Sequence, residues 1–140
     1  MSGRYLLDTN ILVYCFDASA PAKRKRANQL VKEGIERRSA IISYQVVQEF
    51  INVALKRFQP RLEIGDLRQY VSMVLRPMLA VNSSIALLQY GLEIVDRYRI
   101  GWYDSLIISA ALHAQCEVLY TEDLQHLQRI DALQIVNPFL

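Results

Sequence analysis

Short apolar runs alternate along this chain with longer stretches whose apolar residues recur at helical spacing. Tyr5-Leu6-Leu7 is a compact apolar run that ends in Asp8-Thr9-Asn10. Ile11, Leu12, Val13, Tyr14 and Phe16 then predict a short, largely buried helix, so the opening reads strand, acid, helix. Ser19 and Pro21 offer a start for a basic helix reaching about Glu36, and Ala40-Ile41-Ile42-Ser43 predicts a second strand. Over residues 44–58 the positions Val46, Val47, Phe50, Ile51, Ala54 and Leu55 make a helical stripe that Pro60 stops, with Glu49 one residue from it. A further helix is expected over 63–75, before Pro77 and a third strand at Leu79-Ala80-Val81.

The second half repeats the alternation. Ser83 is the expected cap of a helix whose Ile85, Leu88, Leu92 and Val95 form one seam. Gly101 ends the following connection, and the next helix is expected to begin at Asp104, with Leu106, Ile107, Ala110, Ala111 and Ala114 on a face rich in small residues. Val118-Leu119-Tyr120 predicts a fourth strand closed by Thr121-Glu122-Asp123. A short helix through Leu127 then leads to Leu133-Gln134-Ile135-Val136, and Pro138 ends the structured chain. Strands alternating with helices imply an α/β three-layer sandwich, a central, mainly parallel sheet of four to five short strands flanked by helices, in one domain spanning 1–140.

Composition sharpens this picture in three ways. A chain of 140 residues with 52% hydrophobic content can bury a proper core. Charges interrupt every apolar run well before the roughly 20 residues a membrane helix needs, so no membrane association is expected. Cys15 and Cys116 lie in apolar segments without CxxC or Cys/His ligand spacing, which makes a reduced, cytoplasmic protein the default. The net charge of +2 sets 16 basic residues against 14 acids. If four of those acids are neutralised by a cation, the remaining surface is basic enough to favour a polyanion. Lys23-Arg24-Lys25-Arg26 is its densest part, although such a run also reads as a solvated helix face.

Four carboxylates carry the chemical signal. Asp8, Glu49, Asp104 and Asp123 sit in apolar or helix-starting segments that contain no Lys or Arg. An isolated carboxylate in such surroundings costs several kcal/mol or is pushed toward its neutral form. Asp8 and Asp123 fall just past predicted strand ends, where open sheets of this kind place their sites, while Glu49 and Asp104 lie near helix starts. Convergence of the four would call for a divalent cation, and hard oxygen donors select Mg²⁺ or Mn²⁺. A cation so held suits phosphodiester hydrolysis, and no Ser/His/Asp or Cys/His arrangement competes. Thr9, Asn10, Ser105 and Thr121, beside the acids, are expected to orient carboxylates or water.

Blander roles compete with each of these. A helix cap would explain Asp104, and Glu122 is an alternative to Asp123. Asp17 and Asp96 lie in polar stretches expected to face solvent. His113 and His126 lack ligand spacing and read as surface or packing residues, and Trp102 and Tyr103 read as packing residues before base-stacking ones. A phosphoryl-acceptor or nucleotide-binding domain fits poorly, because Asp8-Thr9-Asn10 lacks the second Asp of an Asp-x-Asp motif and five glycines form no phosphate loop.

Four segments in order resemble the PIN domain family, and more closely its VapC-like toxin ribonucleases. They are residues 5–13 from Tyr5 to Val13, Gln48-Glu49-Phe50, residues 103–111 from Tyr103 to Ala111, and residues 119–126 from Leu119 to His126. The ending Ile135-Val136-Asn137-Pro138-Phe139 also looks like that family. The resemblance implies a PIN-like sandwich with Asp8, Glu49, Asp104 and Asp123 as metal-binding acids, supported by Asn10 and Thr121. It further implies Mg²⁺- or Mn²⁺-dependent endoribonuclease activity, a homodimer through helical faces, and a small antitoxin partner whose tail occupies the site. Ser105 and Ser109 stand where that family often has Ala, and Leu127 stands where Gly is common. The alternative is a catalytically inactive PIN-like module that binds RNA or protein, which would be expected to lack one of the acids.

Overall fold

The computed structural model describes residues 3–140. A six-stranded sheet runs through it in the order β3-β2-β1-β4-β6-β5. The strands are β1 (Tyr5–Leu7), β2 (Ala40–Ser43), β3 (Leu79–Val81), β4 (Val118–Tyr120), β5 (Arg129–Ile130) and β6 (Leu133–Val136). All neighbours are parallel except β5, which is antiparallel to β6. Helices α1 (Thr9–Tyr14), α2 (Pro21–Glu36), α3 (Tyr44–Arg57), α4 (Ile64–Tyr70), α5 (Arg76–Met78), α6 (Ile85–Tyr98) and α7 (Trp102–His113) flank the sheet. This is the mainly parallel α/β sandwich expected, with β5 as an added edge strand.

Burial explains why these residues make these elements. β2 is buried at every position, and Leu6, Leu7, Ile42 and Leu119 are inaccessible, as strands covered on both faces require. Phe50 of α3 packs between Phe16, Phe58 and Tyr70, with ring centroids 5.3 to 5.8 Å away. That cluster joins the segment after α1 to α3 and α4. Gly34 lets α2 touch β2, since a Cβ there would come within 2.2 Å of Ala40 Cβ.

Several boundaries differ from those expected. Pro77 does not end its helix: the turn Val71–Leu75 widens to π geometry and α5 continues through Pro77. Proline cannot donate to the carbonyl four residues back and crowds it, and a widened turn accommodates both. Ser84, not Ser83, caps α6, its hydroxyl accepting from Leu87 N at 3.1 Å. Helix α7 begins at Trp102, with Gly101 as its cap, so Asp104 lies in the first turn instead of opening it. No helix runs to Leu127. Residues 122–128 are bends and turns stitched to β6 by Leu127 N to Ile135 O and Ile135 N to Gln128 O. Among the described residues, no helix is long and apolar enough to cross a membrane.

Candidate active site

The strand order reverses between β1 and β4. From β1 the chain builds outward to β2 and β3, and from β4 it builds the other way, so a crevice opens at the carboxyl ends of these two strands. Leu7 pairs with Tyr120, which sets Asp8 beside Thr121. The Asp8 N–H donates to Tyr120 O at 3.0 Å, continuing the ladder by one bond. Helix α3 follows β2 and therefore starts at this same edge. Helix α7 leads into β4 and runs toward the opposite edge, so its first turn also lies here. Four chain segments far apart in sequence are thus brought to one rim.

Asp8, Glu49, Asp104 and Asp123 all line one cleft of about 490 Å³ there. Asp8 caps α1: its Oδ1 accepts from Thr9 N at 2.7 Å, and its Oδ2 accepts from the Thr121 hydroxyl at 2.8 Å. Thr9 donates its hydroxyl to Glu49 Oε1 at 2.7 Å. Asn10 donates through Nδ2 to Asp123 Oδ2 at 2.9 Å and to Thr121 Oγ1 at 3.2 Å. Thr121 Oγ1 also accepts from Asp123 N at 3.1 Å. Each of Asp8, Glu49 and Asp123 is held by a short polar side chain from another segment.

Burial and like charge act together on these acids. Asp8 is only 5% exposed, and burial pushes its carboxyl up to about 7, with Glu49 and Asp123 adding to the rise and the bonds from Thr121 and Thr9 opposing it. Asp104 is raised first by burial and then by Asp123 and Glu49. The two ion pairs of the described residues, Lys23–Glu122 and Arg97–Asp131, involve none of the four. No three of the four are already drawn into a ligand cluster among the described residues. Two buried acceptors in the same cleft, Asn10 Oδ1 and Gln45 Oε1, also have no hydrogen-bond partner. Hard, unsatisfied oxygens around a crowd of carboxylates fit a Mg²⁺ or Mn²⁺ site in donor chemistry.

Not every expected residue joins the cleft. Ser105 is fully buried and donates to Ile100 O at 3.2 Å, so its hydroxyl serves the start of α7 and not the acids. Glu122 lines the cleft but is engaged by Lys23 Nζ at 3.0 Å and by the Tyr14 hydroxyl. Asp17 does not simply face solvent: it is half-buried, lines the cleft wall and accepts from Ser19 N at 3.0 Å. Asp96 and His113 are exposed, and His126 Nδ1 accepts from Asn137 N at 2.9 Å. Trp102 packs on Gly91, whereas Tyr103 is 65% exposed at the cleft.

Sequence reasoning passed over Gln45, Asn52 and Arg57, which also line the cleft. The signal was available. Positions 45, 49, 52 and 53 recur at helical spacing, and 57 completes the stripe, so one face of α3 presents all of them. Gln45 donates through Nε2 to Tyr103 O at 3.2 Å, tying α3 to the first turn of α7.

Comparison with known proteins places this architecture. The sequence matches the PIN domain family over residues 5–133, and the chain belongs to that family. None of the curated proteins matches it in sequence. A chain of a toxin-antitoxin complex from Klebsiella pneumoniae superposes with a TM-score of 0.67 at 22% identity, covering 96% of this chain and 97% of that one. VapBC-1 from nontypeable Haemophilus influenzae gives 0.61 at 20% identity, over 96% and 97%. VapBC2 from Rickettsia felis, bound to a DNA fragment from its promoter, gives 0.58 at 22%, over 94% and 96%. At these identities the likeness is one of fold.

Proposed function

We propose that this chain is a metal-dependent endoribonuclease of the VapC-like kind, the toxin of a toxin-antitoxin pair. The observation that carries the reading is the meeting of Asp8, Glu49, Asp104 and Asp123 in one cleft at the sheet's switch point, outside every ion pair of the described residues. The toxin-antitoxin complexes that share the fold support the biological setting. The same reading expects a small antitoxin and a homodimer in the cytoplasm, which copurification and sedimentation would test. Buried Cys15 and Cys116 are free thiols, as that compartment requires.

Asp8, Glu49, Asp104 and Asp123 would hold Mg²⁺ or Mn²⁺. When bound, that cation supplies Lewis-acid polarisation of the phosphate and offsets the charge of the leaving oxygen. Thr121 fixes the orientation of Asp8, Thr9 that of Glu49, and Asn10 that of Asp123. Asn10 Oδ1 and Gln45 Oε1 are acceptors with capacity left for water in the cleft.

A second reading, an inactive RNA- or protein-binding module, draws on the absence of a ready ligand cluster among the described residues. Labelled RNA incubated with the purified chain separates the two. Cleavage that requires Mn²⁺ and is abolished by Asp8→Asn is expected. Cleavage that survives EDTA or the substitution contradicts the mechanism, and RNA bound but left intact favours the module.

A further inference from the structure

The acidic cleft does not end at its carboxylates. It opens past Val13, Asp17, Val53 and Arg57 into a second groove of about 480 Å³, and those four residues line both. Phe16 and Phe58 form an apolar wall of the second groove, and Ala18, Ser19 and Gln59 line it as well. Arg57 stands at the junction. It is exposed, it is the one cationic side chain lining either groove among the described residues, and no hydrogen bond or ion pair to another described residue engages it.

We propose that this groove is the subsite for the nucleotide next to the cleaved bond of single-stranded RNA, with Arg57 holding the flanking phosphate and the Phe16–Phe58 wall receiving the adjoining nucleoside. The proposal rests on the ribonuclease reading and specifies how its substrate is seated. Arg57 lies eight positions beyond Glu49 on α3, about 12 Å along the helix axis, which suits a neighbouring phosphate and not the one under attack. Charge complementarity selects the same position. A strand entering a cleft lined by six carboxylates needs a positive anchor outside the metal site, and guanidinium is suited to phosphate oxygens. The groove itself carries apolar wall, hydroxyl, amide and the Asp17 carboxylate, a lining that suits a base and ribose better than a second phosphate. Asp17 is already fixed, its Oδ1 accepting from both Ser19 N and Ser19 Oγ.

The test uses a fluorescent single-stranded oligoribonucleotide, Mn²⁺-dependent cleavage kinetics, and equilibrium binding by anisotropy in an Asp104→Asn background across a salt series. Arg57→Ala is expected to raise KM and Kd about ten-fold or more while kcat stays within about three-fold, as loss of a charged hydrogen bond away from the reacting atoms should. It should also flatten the log Kd against log salt slope by about 0.7, the signature of one lost phosphate contact on a single strand, and Arg57→Lys should restore that slope. Ala18→Trp, which fills the groove against the Phe16–Phe58 wall from an exposed position, should weaken binding about five-fold or more with the slope unchanged. An unchanged slope in Arg57→Ala, or wild-type binding by Ala18→Trp, overturns the subsite even where RNA is cleaved normally. A wild-type chain that does not cut RNA in Mn²⁺ defeats the ribonuclease reading instead, and the anisotropy series still decides whether the groove binds the strand.

Discussion

Thr9 and Glu49, on different helices, are joined by a hydrogen bond of 2.7 Å from the threonine hydroxyl to Oε1. The bond fixes a carboxylate on α3 from the first turn of α1, so the acids are oriented by neighbours as well as by the strands that carry them. Thr9→Val keeps the shape and removes the donor. Loss of such an orienting contact is expected to lower metal affinity or activity about ten-fold while costing only about 1 kcal/mol of stability. Mn²⁺ titration and urea unfolding of the same variant check the two halves of this prediction.

Asp8 makes the metal-free protein sensitive to pH. Its folded carboxyl sits at about 7 against an ordinary value of 3.8, so the folded state binds the extra proton. That contribution to stability is complete below the unfolded value and is lost as pH rises through about 7. In EDTA, Asp8→Asn should therefore gain stability over wild type between pH 5 and pH 8, by about 1 kcal/mol or more, with the two converging near pH 4. Urea midpoints across that range test it, and a difference independent of pH would contradict it.

Glu122 and Asp123 are adjacent but differently engaged. Lys23 and Tyr14 occupy the Glu122 carboxylate, whereas among the described residues Asn10 alone donates a side-chain hydrogen bond to that of Asp123. Glu122→Gln is expected to leave Mn²⁺ affinity within about two-fold, and Asp123→Asn to lower it by about ten-fold or more. Calorimetric titration of the two variants distinguishes them, and the reverse order would move the ligand to Glu122.

Leu127 occupies the left-handed region with φ of 69° and is 57% exposed. A Leu side chain pays for this backbone with about 1 kcal/mol or more of strain and gains little by packing, whereas glycine adopts it freely. Leu127→Gly should leave stability equal or raised by about 0.5 kcal/mol, against the loss that glycine causes elsewhere. Thermal melting measures this, and a clear drop would show that the Leu127 side chain packs usefully.

Legibility in the sequence followed how local each cause was. Apolar runs such as Ala40-Ile41-Ile42-Ser43 are buried on both faces, so composition alone bounds β2. The region near Leu127 reads as a helix because Leu124 and Leu127 mimic helical spacing, while the bonds that hold its turns go to Ile135 in a later strand. Ser83 and Ser84 are indistinguishable until one of them accepts from Leu87 N. The four acids were legible because carboxylates without cations stand out in apolar segments. Arg57 and Asp17 were not, since an exposed charge at a helix end and an acid in a polar connection are both ordinary until a groove is seen beside them.

Calorimetric titration of Mn²⁺ into the wild-type chain and into Asp8→Asn, Glu49→Gln, Asp104→Asn and Asp123→Asn tests most directly whether the carboxylates act as one site. Saturable binding by the wild type, weakened about ten-fold or more by each substitution, is the predicted result. Absence of saturable binding, or affinity indifferent to all four substitutions, would contradict it.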